Sequence, residues 1–163
     1  QCTDQIETIG KLPTHHQLQT VGASLHRESL IADGKWHDPM FDYAHQFADA
    51  DDIIIAAPYW DLGFPAQLKT YIENIYVTGI VSAYNDHGQP CGLCRARSLT
   101  YITTAGGAYD PRFSFDYLTA MAKEYFGIRE TRLIYAECLD ICGNDPEAIL
   151  QSAIDQIERS DDR

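Results

Sequence analysis

A short β-branched run, followed by an aromatic loop and a helix, constrains the fold of this chain more than any other feature. Ile53-Ile54-Ile55 predicts a buried strand, because strands of parallel sheets are nearly continuous in apolar residues. Residues 56–65 then bring aromatic side chains to the carboxyl edge of the sheet, where open α/β sheets bind ligands. Pro65 suits a first helical turn, and apolar residues repeat at helical spacing as far as Ile75.

A second strand, at residues 98–104, ends in the paired glycines Gly106 and Gly107. Such a pair permits positive φ and a close approach of a ligand to the backbone, with amide groups free to face acceptor atoms. One strand end is therefore aromatic and the other is rich in glycine. Together they suit a planar ring that carries carbonyl and nitrogen acceptors, and a flavin fits that description.

Strand and helix patterns alternate along the chain, which predicts an α/β fold with an open parallel sheet and helices on both faces. No repeat, linker or low-complexity tract interrupts residues 1–163, so we expect a single domain. The longest irregular stretch is 77–97, and connections of this length are either functional or surface loops. Helical patterns cover residues 39–49, 65–76, 113–126 and 146–159, and strand patterns cover 53–57, 98–104 and 131–137.

The formal net charge of −12 excludes a protein whose main partner is nucleic acid, because phosphates would be repelled. No apolar run reaches the length of a membrane span, and no secretion leader is recognisable. These features predict a cytoplasmic protein. An acidic surface is also typical of electron carriers that dock on basic partners, so a carrier is kept as an alternative.

Four of the five cysteines form two closely spaced pairs, Cys91 with Cys94 and Cys138 with Cys142. The first pair could be a redox dithiol, and both pairs together could hold zinc. The three-residue gap of the second pair disfavours a zinc knuckle, and the first pair does not begin a helix that would stabilise a thiolate. We expect structural thiols, and we expect no metal because the histidines also lack a ligand spacing.

Residues 30–154 resemble the flavodoxin-like family of FMN-dependent NAD(P)H:quinone oxidoreductases and azoreductases. The resemblance covers about three quarters of the chain, and the motifs keep the family's order. They are Asp38-Pro39-Met40-Phe41, Ala57-Pro58-Tyr59-Trp60-Asp61-Leu62, Phe64-Pro65-Ala66-Gln67-Leu68-Lys69, Gly92-Leu93 and Thr103-Thr104-Ala105-Gly106-Gly107.

The resemblance implies a sheet of order 2-1-3-4-5, whose first strand, loop and helix would hold the FMN phosphate. We expect that this first βα unit is absent from the sequence, so that the domain is N-terminally incomplete, and that residues 4–9 form the family's second strand. We therefore expect the strand near Ile53 to border a gap or an element from a partner chain. We also expect weak FMN binding by the chain alone.

The same resemblance implies an enzyme that takes a hydride from NAD(P)H on FMN and then reduces a quinone, azo or nitroaromatic acceptor, in a ping-pong cycle. It implies a homodimer, with the insert 77–97 and the helix 65–76 at the twofold interface. We expect that interface because a monomer would expose apolar residues of this region on one side, namely Ile72, Ile75, Tyr76 and Ile80. The alternatives are a flavodoxin-like electron carrier and a non-catalytic remnant that lacks FMN.

Individual roles also follow from the resemblance, with core or strand packing as the competing interpretation of each residue. Tyr84 and Tyr109 are catalytic candidates that would stack on the acceptor or donate a proton, and Phe113 and Phe115 would line its cavity. Asp61, where many relatives have Asn, would lower the flavin potential. The cofactor-binding candidates are Pro58, Tyr59, Trp60, Asp61, Leu62, Thr103, Thr104, Gly106 and Gly107.

Overall fold

The computed structural model describes the backbone of residues 21–161. Two 3₁₀ turns, Pro39–Phe41 and Pro111–Phe113, precede helices, and a π-helical segment, Met121–Phe126, extends the fourth helix. The helices are α1 (Val21–Ala32), α2 (Asp42–Asp49), α3 (Ala66–Ile75), α4 (Phe115–Ala120) and α5 (Pro146–Asp161); the strands are β1 (Asp52–Ala56), β2 (Ser82–Tyr84), β3 (Pro90–Gly92), β4 (Ser98–Thr104) and β5 (Glu130–Ala136).

Three strands form a parallel sheet in the order β1-β4-β5, with β4 in the centre. The register places Ile54 opposite Thr100 and Thr100 opposite Arg132. The strands β2 and β3 form a separate antiparallel hairpin within the irregular stretch 77–97. The predicted parallel sheet is therefore confirmed, and the ends of its three strands meet at one edge.

The hydrophobic core lies between one face of this sheet and α2, α3 and α4. Because side chains alternate along a strand, Ile53 and Ile55 of β1 share this face with Leu99 and Tyr101 of β4. Aromatic contacts complete the core, for example the edge-to-face pair of Phe47 and Phe126 with ring centroids 5.1 Å apart.

The core overturns the reason for placing an interface on α3. Ile72, Ile75 and Ile80 were expected to be exposed on one side of a monomer, but all three are buried, and Ile75 is 0% exposed. Their apolar side chains pack inside the chain and are not available to a partner. The homodimer itself stays a prediction.

The outer edge of β1 is unpaired among the described residues, and the expected gap beside it stays a prediction. Within the part of the chain that the structure describes, β1 pairs with β4 on one side and has no neighbour on the other. Ile54, on the sheet face opposite the core, is 71% exposed. The prediction for residues 4–9 lies outside the described residues.

Helix boundaries show where the sequence pattern was insufficient. The helix predicted over residues 113–126 is wrong as one element: a 3₁₀ turn ends at Phe113, and Ser114, with φ −139°, separates it from α4. The predicted stop at Gly127 is confirmed, because this residue has φ 81° and caps the π-helical segment. The start of α5 is also confirmed, since the Asp145 carboxylate accepts hydrogen bonds from the amides of Glu147 and Ala148.

The helix α1 was not predicted. Two of its apolar side chains, Val21 and Leu25, are exposed, while Arg27 and Leu30 are buried. This arrangement hides the apolar stripe by which amphipathic helices are recognised. None of the helices in the described region is both long and apolar enough to cross a membrane.

Candidate functional site

The loop after β1 is a tight turn held in an unusual backbone conformation. The amide of Trp60 donates to the carbonyl of Gly63 at 2.8 Å, and the amide of Gly63 donates back to Trp60 at 2.8 Å. Between them, Asp61 has φ 48° and Leu62 has φ 68°. Two successive positive φ values are typical of a type I′ turn, which usually contains glycine or asparagine. Left-handed geometry costs L-residues about 1–2 kcal/mol each, so this loop is strained.

The strained turn presents polar backbone and apolar side chains together. In the described chain the amides of Asp61 and Leu62 donate no hydrogen bond. The side chains of Trp60 and Leu62 are 62% and 59% exposed, which is unusual for residues of this size. Strain of this kind concentrates at functional sites. The loop is therefore the first component of the site.

The glycine-rich loop after β4 is the second component. Its carbonyls, at residues 105–107, accept hydrogen bonds of 2.9–3.2 Å from the amides of residues 138–140. The amides of residues 106–108 make no hydrogen bond to any described residue. Three successive free amides form a concave set of donors that suits an anion or a carbonyl oxygen.

The two glycines have different surroundings, and neither uses the positive φ that the sequence suggested. A Cβ atom added to Gly106 would lie 2.1 Å from Oδ2 of Asp140, so this glycine allows the neighbouring loop to approach. A Cβ atom at Gly107 would meet nothing within 4 Å. Gly107 therefore faces open space, and the positive φ values occur at Asp61 and Leu62 instead.

The predicted threonines fall on opposite sides of β4. Thr103 is 3% exposed and is a buried strand residue, so its hydroxyl is not accessible from the loop. Thr104 is exposed, and its carbonyl accepts a hydrogen bond of 2.9 Å from the amide of Tyr59. This bond extends the sheet beyond Pro58 and fixes the β1 loop to the end of β4.

Tyr109 lies in an aromatic cluster beside these loops. Its ring centroid is 4.9 Å from that of Tyr59 and 5.3 Å from that of Tyr135. Its hydroxyl is 2.9 Å from Oγ of Ser114, and its amide donates to the Glu137 carboxylate at 2.7 Å. Burial raises the pKa of the Tyr109 phenol, so it stays protonated and available as a donor.

The two phenylalanine candidates, Phe113 and Phe115, lie in different environments. Phe113 is half exposed near the same edge, with the Arg112 guanidinium carbon 5.3 Å from the centre of its ring. Phe115 packs against the hydrophobic core, in agreement with the competing interpretation.

Because α3 begins at the site and contains ten residues, its far end lies about 15 Å from the sheet edge.

Tyr84 is not brought to this site by its own chain. Its hydroxyl lies 3.4 Å from that of Tyr76, which follows the far end of α3. The hairpin packs at the opposite end of that helix, so Tyr84 is remote from the loops of its own chain, and its catalytic role stays a prediction. Tyr84 would need a partner chain to reach an active site.

The third strand end was missed by sequence reasoning. Residues 137–140 follow β5 directly, and they hold the glycine loop through their amides and Tyr109 through Glu137. Cys138 adopts φ 61°, a further strained position beside the site. The signal was available, because the carboxyl ends of parallel strands meet at one edge.

The four cysteines that the structure describes form no disulfide and do not cluster around a metal site. Cys91, Cys94, Cys138 and Cys142 are free thiols. No group of three or more His, Cys, Asp or Glu within the described ranges could hold a metal ion. Burial raises the pKa of Cys94 to about 12, which disfavours the thiolate that a redox dithiol requires.

Comparison with known proteins identifies relatives of this chain. A family model described as a flavodoxin-like fold matches residues 14–160. The FMN-dependent NADH:quinone oxidoreductase 2 of Clostridium acetobutylicum is 40% identical over 129 residues, which are 76% of this chain and 64% of that protein. The FMN-dependent NADH:quinone oxidoreductase of Caldicellulosiruptor saccharolyticus is 39% identical over 127 residues, or 75% of this chain and 63% of that protein.

The chain thus spans less than two thirds of the length of these relatives. Among solved structures, an FMN-dependent NADH-azoreductase from Bacillus anthracis in complex with FMN matches with a TM-score of 0.69 and 25% identity. That match covers 83% of this chain and 70% of the azoreductase. With the family model matching most of its length, this chain belongs to the family of flavodoxin-like fold proteins.

Proposed function

We propose that this chain forms the ring-binding part of an FMN-dependent NAD(P)H:acceptor oxidoreductase that reduces quinones or azo compounds. Two relatives near 40% identity carry the name of FMN-dependent NADH:quinone oxidoreductase. The related azoreductase structure is described as a complex with FMN. These names support the activity, and the geometry of the loops supports the cofactor.

One observation carries the proposal: Gly107 faces open space, and the amides of residues 61–62 and 106–108, in the loops after two neighbouring strands, donate no hydrogen bond to any described residue. The donors at residues 61–62 and 106–108 match the carbonyl and nitrogen acceptors of a flavin ring. The exposed Trp60 supplies an aromatic surface beside them. Backbone donors do not titrate, so this site would bind the ring equally well over a wide pH range.

Bound FMN supplies two-electron transfer between NAD(P)H and the acceptor, so no protein nucleophile is needed. The chain's own residues bind the flavin ring and orient the acceptor beside it. Free amides at residues 61–62 and 106–108 fix the ring, and Trp60 limits access of water. The protonated phenol of Tyr109, held by Ser114, donates a hydrogen bond to an acceptor oxygen or nitrogen. Phe113 forms an apolar wall for a small aromatic substrate.

A homodimer and a cytoplasmic location belong to the same proposal. In a dimer, Tyr84 of each chain would serve the partner's site, since it does not reach its own. The free cysteines agree with a reducing compartment. The expected absence of the phosphate-binding βα unit concerns residues outside the described ones and stays a prediction.

A flavodoxin-like electron carrier is the second candidate, favoured by the net charge of −12 and by the exposed Trp60 and Leu62. A carrier leaves its flavin edge open to a protein partner and needs no nicotinamide site.

Anaerobic spectroscopy distinguishes these functions. The purified chain is kept in large excess over a limiting amount of FMN, so that weakly held cofactor stays bound, and is mixed with NADH or NADPH while absorbance near 450 nm is followed. We expect bleaching by a nicotinamide and recovery on addition of a quinone. A retained flavin band that neither nicotinamide bleaches would support the carrier. Because the chain alone is expected to bind FMN weakly, only the absence of FMN binding at millimolar cofactor in equilibrium dialysis would reject both and support a non-catalytic remnant.

A further inference from the structure

Contacts from both neighbouring strand ends hold Tyr109 in one orientation beside the candidate site. Its ring centroid is 4.9 Å from that of Tyr59, in the loop after β1, and 5.3 Å from that of Tyr135 on β5. Its amide donates to the Glu137 carboxylate at 2.7 Å. Because the ring lies between two others and the backbone is tied, the phenolic oxygen has a fixed position, which is next to Ser114.

Ser114 occupies the N-cap position of α4 but does not use its side chain as a cap. A serine at this position usually accepts a hydrogen bond from a backbone amide of the first helical turn. In the described chain, Ser114 makes no such bond. Its side chain is 0% exposed, and its Oγ lies 2.9 Å from the hydroxyl oxygen of Tyr109. This buried hydroxyl is therefore directed at Tyr109 instead of at its own helix.

A second buried phenol lies behind Ser114. Tyr101, on the core face of β4, is 0% exposed, and the hydroxyls of Ser114 and Thr103 lie beside its own. Burial raises the pKa of Tyr101 more than these two hydroxyls lower it, so this phenol keeps its proton and is a donor. Because Tyr109 is partly exposed, the hydroxyls form a series that begins in the core at Tyr101 and reaches the surface at Tyr109.

The donors around Tyr109 indicate the direction of its hydrogen bond with Ser114. Burial raises the Tyr109 pKa, and hydrogen bonds from the Ser114 hydroxyl and the Phe115 amide oppose this effect, as donors to a phenolic oxygen do. An amide can only donate. With Tyr101 as a donor to Ser114, the serine proton is left for Tyr109, whose oxygen then accepts twice. The phenolic proton of Tyr109 is therefore left for a group outside this series.

We propose that Ser114 is a positioning residue that directs the phenolic proton of Tyr109 toward the electron acceptor. The inference rests on the proposed function, in which Tyr109 is the donor. As the acceptor takes up a hydride, negative charge develops on its oxygen or nitrogen. The O–H bond of Tyr109 breaks and the proton binds that atom, while Ser114 stabilises the phenolate with its hydrogen bond. Water then returns a proton to Tyr109, which is partly exposed.

The pKa of Tyr109 in the chain without cofactor tests the hydrogen bond itself. The full chain is labelled with 3-fluorotyrosine and titrated by fluorine NMR, and the Tyr109 signal is the one missing from Tyr109→Phe. Ser114→Ala should raise the Tyr109 pKa by about one, because a hydrogen bond to a charged oxygen is roughly twice as strong as one to a neutral oxygen. Ser114→Thr keeps a hydroxyl and should restore the wild-type pKa.

Ser98→Ala is the matched control. Ser98 is a buried serine at the opposite end of β4, where its Oγ donates to the Asp52 carboxylate at 2.8 Å. This change also removes a buried serine hydroxyl and should leave the Tyr109 pKa unchanged. If Ser114→Ala does not fold, Tyr101→Phe deletes the hydroxyl behind Ser114 and should still raise the Tyr109 pKa, by about 0.3, because it weakens the series of hydrogen bonds.

Steady-state quinone reduction at saturating FMN tests the role in catalysis. Tyr109→Phe should lower kcat about 100-fold, as expected for lost general-acid catalysis, and Ser114→Ala should lower it about tenfold. The double variant should be no slower than Tyr109→Phe alone, because Ser114 acts through Tyr109.

An unchanged Tyr109 pKa in both Ser114→Ala and Tyr101→Phe would overturn the inference, whether or not the chain binds FMN. So would a further tenfold loss when Ser114→Ala is added to Tyr109→Phe, because the serine would then act elsewhere. A wild-type chain that reduces no quinone would overturn the catalytic role together with the proposed function, even where Ser114→Ala shifts the Tyr109 pKa.

Discussion

Replacing Gly107 by valine tests whether the open space beside the glycine loop holds the flavin ring. A Cβ atom at this position meets no atom within 4 Å, and the residue lacks a left-handed φ. The folded chain therefore tolerates the side chain. A bound ring that approaches the amides of residues 106–108 would not tolerate it, because the β-branched methyl groups point into the same space.

The expected magnitudes separate folding from binding. A non-glycine residue at a compatible loop position stabilises a protein by about 0.4–1 kcal/mol through the unfolded chain, so Gly107→Val should unfold no earlier in urea. Overpacking against the ring should cost about 1–3 kcal/mol. At about 1.4 kcal/mol per factor of ten, the FMN dissociation constant should rise about 5- to 150-fold.

Equilibrium dialysis against FMN, together with urea unfolding, measures both quantities. Gly106→Val is the contrasting variant, because its Cβ would lie 2.1 Å from Oδ2 of Asp140. It should lose about 1–3 kcal/mol of stability whether or not FMN is present. If Gly107→Val retains FMN within twofold of the wild type, the free amides of the glycine loop do not contact the ring, and the central argument for the cofactor fails.

Other perturbations test the core, the electrostatics of the β1 loop and the thiols. Ile75→Ala removes a fully buried side chain and should cost about 2–5 kcal/mol in urea unfolding. Ile54→Ala, on the open sheet face, should cost less than about 1 kcal/mol, and equal costs would mean that Ile54 is covered. Asp61→Asn keeps a residue type that tolerates positive φ and removes a charge worth about 1 kcal/mol at an exposed site. The potential of bound FMN should then rise by about 20 mV in a redox titration against a reference dye, and an unchanged potential would place the carboxylate away from the ring. Because burial raises the pKa of Cys94 to about 12, its thiol should react with a disulfide reagent at pH 8 only on unfolding, whereas exposed Cys91 reacts at once. Peptide mapping by mass spectrometry assigns the labels, and early labelling of Cys94 would contradict this.

The sequence predicts the sheet well, because parallel strands have a strong local signal. The pattern for residues 98–104 reproduces β4, and those for 53–57 and 131–137 differ from β1 and β5 by one residue at each end. These segments are β-branched and bounded by helices, so local propensity and burial agree. The start of α5 and the stop at Gly127 were predictable for the same reason, since caps are local.

The parts that failed depend on tertiary contacts. Burial of Ile75 and of Arg27 is decided by how the helices pack. The sequence alone does not distinguish an apolar residue of the core from one of an interface. The position of Tyr84 depends on where the hairpin docks along α3. The positive φ at Leu62 opposes the intrinsic preference of leucine, so propensity alone could not have located this turn.

The strand β4 connects the two sets of free amides. On one side its last carbonyl, at Thr104, accepts from Tyr59, which anchors the strained turn. On the other side the carbonyls of residues 105–107 bind the amides of residues 138–140. Because both loops are bonded to the backbone around one central strand end, their donors keep a fixed spacing without a ligand. Binding a flat ring would then require little ordering of the protein, and the strain at Asp61 and Leu62 is the cost of holding the donors in place.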